Sequence, residues 1–306
     1  MSKPEPKIKD WINAARLRTL PLAFSCIIMG TALSFNDLLS GFSFSVFLLT
    51  LLTTLFLQVL SNWANDYGDF VKGTDNETRI GPERSLQSGA INSDSMRNAI
   101  IIMSFSALLS GIILLYLSGI LMSSTGMLFL IFGLIAIWAA IRYTAGNNPY
   151  GYAGLGDMAV FFFFGLLGVL GSAFLHTHEI PDILDVFPAA SIGFLSAAVL
   201  NLNNMRDAKD DASKGKRSMA VRLGRRTSKI YHACLVTLGV FCLIFYKIIE
   251  YQSPLDFLFI LLTPILVLHI MRVMKNRDAK ELDPELRVVA ISTFSISVLF
   301  LVSELV

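Results

Sequence analysis

Four aspartates and their amide neighbours carry the chemistry most open to argument in this sequence. Asn62, Asn65, Asp66 and Asp69 fall at i, i+3, i+4 and i+7, and Asn204, Asp207 and Asp211 at i, i+3 and i+7. On a helix each set forms a stripe along one face. Carboxylates four apart on a face repel one another, so each stripe costs stability unless something cationic sits between them. Oxygen-only ligands, carboxylate plus amide, suit Mg²⁺ better than zinc or copper. Mg²⁺ takes few protein carboxylates and completes its shell with water and substrate phosphates, so the implied ligand is a diphosphate. Asp66, Asp69, Asp207 and Asp211 are the expected metal ligands, for two or more ions.

Basic residues lie beside both stripes. Lys72, Arg79 and Arg84 follow the first; Arg206 falls within the second, and Lys214, Lys216, Arg217 and Arg222 come after it. Cations placed there neutralise phosphate oxygens that the metal does not reach, and arginine does so with two parallel hydrogen bonds. Arg225, Arg226 and Lys229 read instead as charges at a membrane boundary.

The elements that must position these residues are set by composition. The chain has 306 residues, 54% hydrophobic and 16% charged, with a mean hydropathy of +0.62. Soluble domains carry about 25% charged residues, so the balance points to lipid. A bilayer core of ~30 Å needs about 20 apolar residues per helix. Candidate spans lie roughly at 18–35, 43–62, 98–116, 126–142, 157–176, 184–202, 229–249, 255–273 and 287–305. The expectation is an all-α integral membrane bundle of nine transmembrane helices, forming a single domain over 1–306.

Charge placement orients the bundle. With the N-terminus in the cytoplasm, all of the 25 Lys and Arg except Lys247 fall on the cytoplasmic side, as the positive-inside rule requires. Both acidic motifs then lie on that side, in the long connections 62–97 and 203–228 after spans 2 and 6. Their spacing suggests two similar four-helix halves plus a ninth helix, although the halves are too dissimilar in sequence to establish a duplication. The net charge of +2 gives no reason to expect a nucleic-acid partner. Cys26, Cys234 and Cys242 stand singly in apolar runs and read as small hydrophobes. His176, His178 and Glu179 lie on the side opposite the acids and make a weak zinc signal. The Gly-rich stretch 146–156 follows no strand, so it reads as a flexible loop able to close over substrate. A cation transporter would place acids near mid-membrane in several spans; here they gather at one surface.

At these residues the sequence resembles the UbiA-type superfamily of membrane aromatic prenyltransferases. The superfamily's two motifs stand here as Asn65-Asp66-x-x-Asp69 and Asp207-x-x-x-Asp211. Many members have a further Asp four residues after the first motif, where this chain has Gly73, with Asp75 two places on. That pattern, the opening Arg16-Leu-Arg18-Thr19-Leu-Pro21, the segment Arg79-Ile-Gly-Pro-x-Arg84-x-x-Gln87-Ser-Gly89 and the run Gly215-Lys216-Arg-Ser-Met-Ala-Val-Arg222 are similar to the branch that prenylates 1,4-dihydroxy-2-naphthoate in menaquinone biosynthesis. The resemblance spans 11–226. It implies a polyprenyl diphosphate donor, a naphthoate acceptor, Mg²⁺, and products that are demethylmenaquinone, CO₂ and pyrophosphate, at a cytoplasmic (inner) membrane with the site facing the cytoplasm. The alternative within the superfamily is another aromatic acceptor such as 4-hydroxybenzoate.

The resemblance makes Asp75, Arg79, Gln87, Asn62, Asn65 and Asn204 substrate-binding candidates, with Lys72, Arg84, Arg206 and Lys216 as cations for the diphosphate. Tyr143 is either a ring that steadies an allylic carbocation or an interfacial belt tyrosine. Arg16 and Arg18 face either the naphthoate carboxylate or the diphosphate. Arg18, at the start of an apolar span, would cost about 2.5–3.5 kcal/mol if deeply buried. Phe161 to Phe164 line either an exit for the polyprenyl tail or plain lipid.

Overall fold

Apolar segments of this length can satisfy their backbone in lipid only by coiling, since no water is there to bond N–H and C=O groups. The computed structural model describes residues 6–35, 42–74, 81 and 83–305. Asp75 and Arg79 lie outside the described residues. Among the described residues nine helices are long and apolar enough to cross a membrane.

A short helix α1 (Ile8–Ala15) opens the first of them. The spans are α2 (Leu20–Leu33), α3 (Phe44–Val71), α4 (Ser93–Leu117), α5 (Ser124–Arg142), α6 (Gly156–Thr177), α7 (Val186–Ser213), α8 (Met219–Ile249), α9 (Pro254–Lys275) and α10 (Leu282–Leu305). Residues Phe161–Leu170 of α6 adopt wider π-type turns.

The connections 62–97 and 203–228 are less loop-like than the hydropathy suggests. Helices α3 and α7 each run for 28 residues, about 42 Å at 1.5 Å per residue, so roughly two turns extend beyond a 30 Å core. The acid stripes ride on those projecting turns. Helix resumes at Met219 and bends at Gly224, whose φ of 73° suits a residue without a Cβ. Only 214–218 remains as connection.

The largest core cluster joins α2 to α6–α10, through residues such as Met29, Val169, Ile192, Leu202, Leu243 and Phe300. Thus α2 belongs to a core built mainly from the second half, and it packs on α10 and α6. A smaller cluster (Ala14, Leu60, Ala64, Leu86, Ile91, Met96) fastens α1 and the turn before α4 onto α3. Trp11 meets Trp63 edge-on, with centroids 5.2 Å apart. Ile102, Phe105 and Trp138 leave wide apolar faces of α4 and α5 exposed, as lipid contact requires. Close backbone approach holds α6 to α7: a Cβ on Gly165 would stand 2.7 Å from the Ala189 carbonyl oxygen.

Lys247 lies at the end of the bundle opposite the acids, and its exception to the charge rule has a physical reason. It is buried, bonded to Glu304, 3.6 Å from Asp256 Oδ1 and 4.8 Å from the Phe300 ring centroid. Two carboxylates and a ring compensate it. His176, in turn, packs on Phe42 and lies 3.3 Å from Thr31 Oγ1, which makes it a core histidine.

Candidate metal and diphosphate site

The projecting ends of α3 and α7 meet around a small polar cleft. Asn65 and Asp69 enter it from the first stripe, Asn204, Asp207 and Asp211 from the second, with Arg84, Tyr143 and Lys216 between them. Elements far apart in sequence therefore deliver one acidic surface, as the stripes required.

Each carboxylate already has a counter-charge or donor. Asp66, 1% exposed, accepts from Arg84 Nη1 at 2.6 Å and from Arg16. Arg16 ends α1 in a left-handed conformation, φ 50°, a costly backbone state for a side chain of this size; the turn aims its guanidinium at α3. Asp69 Oδ1 accepts from Tyr152 Oη at 2.9 Å, and the same hydroxyl bonds Thr74. Asp207 accepts two parallel bonds from Arg206 Nε and Nη2, both 2.8 Å. Asp211 Oδ1 lies 3.4 Å from Lys216 Nζ. The ammonium groups of Lys72 and Lys216 lie 5.2 and 5.5 Å from the Tyr152 ring centroid, within cation–π range.

The titratable groups outside the spans follow from this surrounding. Burial alone would lower the Lys216 pKa, but Asp69 and Asp211, with Asp207 behind them, outweigh it and push the value up. Lys216 is therefore a fixed positive charge. Burial, then the Asp69 charge, raise the Tyr152 phenol; burial, then Asp157, raise Tyr143 well above its ordinary value. Both stay protonated, Tyr152 as a donor to Asp69.

The structure separates the expected site residues into groups. Asn65, Asp69, Arg84, Tyr143, Asn204, Asp207, Asp211 and Lys216 line the cleft. Asp66 sits behind it with its two arginines. Asn62 is turned away, donating to Ala15 O at 2.8 Å and Thr19 Oγ1 at 3.1 Å, so it ties the α1–α2 corner to α3. Gln87 Oε1 accepts from the Arg84 backbone N–H at 3.4 Å and so supports the turn that carries Arg84. Lys72 is exposed beside Tyr67 and Asn147 in a neighbouring hollow. Arg206 is buried against Asp207, Asn203 and Asp283. Arg18 lies in the helical turn that leads into α2, and its guanidinium is 54% exposed, 3.8 Å from Asp283. No deep burial cost arises there.

Tyr152, Thr74, Asn203 and Asp283 were not singled out by sequence. Tyr152 stands within the Gly-rich stretch after α5, but its reach to Asp69 depends on a fold-back that no spacing encodes. The loop carrying it is held from the α7–α8 side, by Arg217 N to Tyr152 O at 3.0 Å and Arg222 Nη2 to Ala153 O at 2.7 Å. Rather than hanging free, the 146–156 stretch is fastened at both sides, through Tyr152 to Asp69 and through these bonds to the α7–α8 side. The residues that lead into it press on α3: a Cβ on Gly68 would lie 2.4 Å from Thr144 Oγ1 and 2.7 Å from the Thr144 carbonyl carbon. Gly68→Ala should accordingly displace this loop, lowering turnover at least about tenfold and stability by about 1–3 kcal/mol. Steady-state assay and thermal melting of the variant check it; wild-type turnover would show that the contact is not needed.

The donor set fits a cation. Asn65 Oδ1 and Asp211 Oδ2, one from each stripe, are buried and accept no hydrogen bond, a costly state for buried acceptors. Among the described residues no three His, Cys, Asp or Glu are gathered closely enough to hold a metal ion by themselves. Few protein ligands per ion, with a substrate completing the shell, is the Mg²⁺–phosphate pattern.

Among the described residues, nine apolar helices and two acid–amide stripes that meet at one polar cleft define a polytopic membrane protein. The chain belongs to the UbiA prenyltransferase family, whose sequence model matches residues 23–294. It is 43% identical to the 1,4-dihydroxy-2-naphthoate octaprenyltransferase of Haemophilus influenzae, over 96% of this chain and 95% of that protein. It is also 43% identical to the Escherichia coli protein of the same description, over 92% and 90% of the two chains. In fold it is similar to a UbiA homologue from Archaeoglobus fulgidus solved with GPP and Mg²⁺ (TM-score 0.63, 16% identity, 95% of this chain and 98% of that one).

Proposed function

We propose that this protein transfers a polyprenyl group from a polyprenyl diphosphate to 1,4-dihydroxy-2-naphthoate, releasing pyrophosphate and CO₂. The observation that carries the donor half is the convergence of both stripes on one cleft, each with an unsatisfied buried oxygen. The acceptor half rests on the naphthoate-prenylating relatives, 43% identical over nearly the whole chain. The homologue solved with GPP and Mg²⁺ supports a metal-bound diphosphate.

Asp66, Asp69, Asp207 and Asp211, with Asn65 and Asn204, would hold divalent ions, which supply Lewis-acid stabilisation of the departing pyrophosphate. Lys216 and Arg84 add fixed positive charge where negative charge develops, the larger part of catalysis in such sites. Lys72, Arg79 and Asp75 complete the proposed set around the donor. The allylic C–O bond breaks with its electron pair on pyrophosphate. The Tyr143 ring, which lines the cleft with Leu200, would steady the resulting allylic cation. The naphthoate ring carbon bearing the carboxylate forms the new C–C bond. Loss of CO₂ then returns its bonding electrons to the ring, so the transfer delivers the quinol, and demethylmenaquinone follows on oxidation.

We place the cleft on the cytoplasmic face of the cytoplasmic (inner) membrane, on the distribution of Lys and Arg. In a cysteine-free background, Lys209→Cys on the exposed face of α7 should react with an impermeant maleimide in inverted vesicles and be spared in spheroplasts. The reverse pattern would invert the bundle.

Purified protein in Mg²⁺, given labelled polyprenyl diphosphate and each aromatic acid in turn, should yield lipid product with the naphthoate and lose that activity in EDTA. Product from 4-hydroxybenzoate alone would overturn the acceptor assignment. Absence of product from every aromatic acceptor would overturn prenyl transfer itself.

A further inference from the structure

Arg206 heads the fully buried side chains by size among the described residues. Its guanidinium has five N–H donors, and the protein uses four. Nε and Nη2 grip the two oxygens of Asp207, Nη2 also reaches Asn203 Oδ1 at 2.8 Å, and Nη1 donates to Asp283 Oδ1. A guanidinium engaged on both edges offers no free fork to a phosphate. What it does offer is a rigid backing for the Asp207 carboxylate, which lines the cleft. Asp283 opens α10, a helix that carries neither stripe, and it is the anchor for the outer edge of that backing. A carboxylate in a first helical turn is favourable by itself through the helix dipole, but that role needs no bond to a buried arginine on another helix.

We infer that Asp283 is a positioning residue for prenyl transfer: it fixes Arg206, and Arg206 thereby presents Asp207 to the diphosphate-bound cation in one orientation. The inference rests on the metal role proposed above for Asp207. Carboxylates that orient a metal site from behind are worth about 10–100-fold in metal affinity. The last helix of the bundle therefore sets the geometry of the second motif.

The test measures Mn²⁺ binding by electron paramagnetic resonance on the full chain in detergent, with a non-hydrolysable prenyl thiolodiphosphate present. Asp283→Asn should weaken Mn²⁺ binding about tenfold or more, and Asp283→Glu should hold it within about threefold of wild type. In an Arg206→Ala background Asp283→Asn should add no further loss, since the two act through one path. Unchanged Mn²⁺ affinity in Asp283→Asn, no recovery in Asp283→Glu, or a full additional loss beside Arg206→Ala would each overturn the inference. Thermal melting of Asp283→Asn should match wild type, because Asp283 is 37% exposed; a collapse in melting with no recovery in the glutamate variant counts against positioning. If the Mn²⁺ pattern holds while no naphthoate is prenylated, the acceptor assignment fails and the Asp283 inference stands.

Discussion

Asp66→Ala and Asp207→Ala should each lower turnover by at least about 10²–10³-fold, the loss typical when one element of a charge-stabilising site is removed, with membrane insertion unchanged. Insertion follows the apolar spans, and both aspartates sit on turns that project beyond them. Both variants should also lose stability, since Asp207 in turn holds the buried Arg206. Asp66→Ala removes the carboxylate that Arg16 and Arg84, both largely buried, share, and taking one partner out of a buried ion pair is destabilising. Asp66→Asn keeps an acceptor for the arginines and separates that cost from the catalytic loss. Turnover of each variant, set beside its melting curve in detergent, is the measurement. An active Asp66→Asn would remove Asp66 from the metal site and leave it a structural anchor for the two arginines.

Lys247→Ala should cost about 3–5 kcal/mol of stability, because it leaves the carboxylates of Asp256 and Glu304 buried without their shared cation. The residue ties α8 to α9 and α10 at the end remote from the cleft, so KM for the diphosphate should not move. Replacing all three groups together, Lys247→Met with Asp256→Asn and Glu304→Gln, should recover most of the loss, since a well-packed neutral substitute for a buried ion cluster is often near neutral. Reversible denaturation or thermal melting of the single and triple variants checks both halves. If the single variant melts as the wild type does, the triad contributes nothing to holding the three helices.

These outcomes depend unequally on what could be read from the chain. The spans were legible because hydropathy over about 20 residues is a local property with one structural solution in lipid. The stripes were legible because helical spacing alone puts Asn65, Asp66 and Asp69 on one face and Asn204, Asp207 and Asp211 on another. The family followed from motifs that lie mostly on those same turns. The ends of α3 and α7 were less legible, since polar residues continue a helix wherever tertiary contacts cover them. How deeply Arg18 is buried was equally illegible: hydropathy puts it at the start of a span, and only the packing shows its guanidinium exposed beside Asp283.

By itself, then, the sequence determined a helical membrane protein, its number of spans, the chemistry of two acidic faces and a metal–diphosphate reading of them. Only the tertiary structure decided which cation serves which acid. Arg16 and Arg84 meet at Asp66, Tyr152 reaches Asp69, Lys216 faces Asp211, and Asp283 holds Arg206 from the last helix. The physical reason is that hydropathy and helical period act between neighbours in the chain. Ion pairs across helices depend on how whole helices pack, and residues 77 positions apart, such as Arg206 and Asp283, carry no spacing by which to announce it.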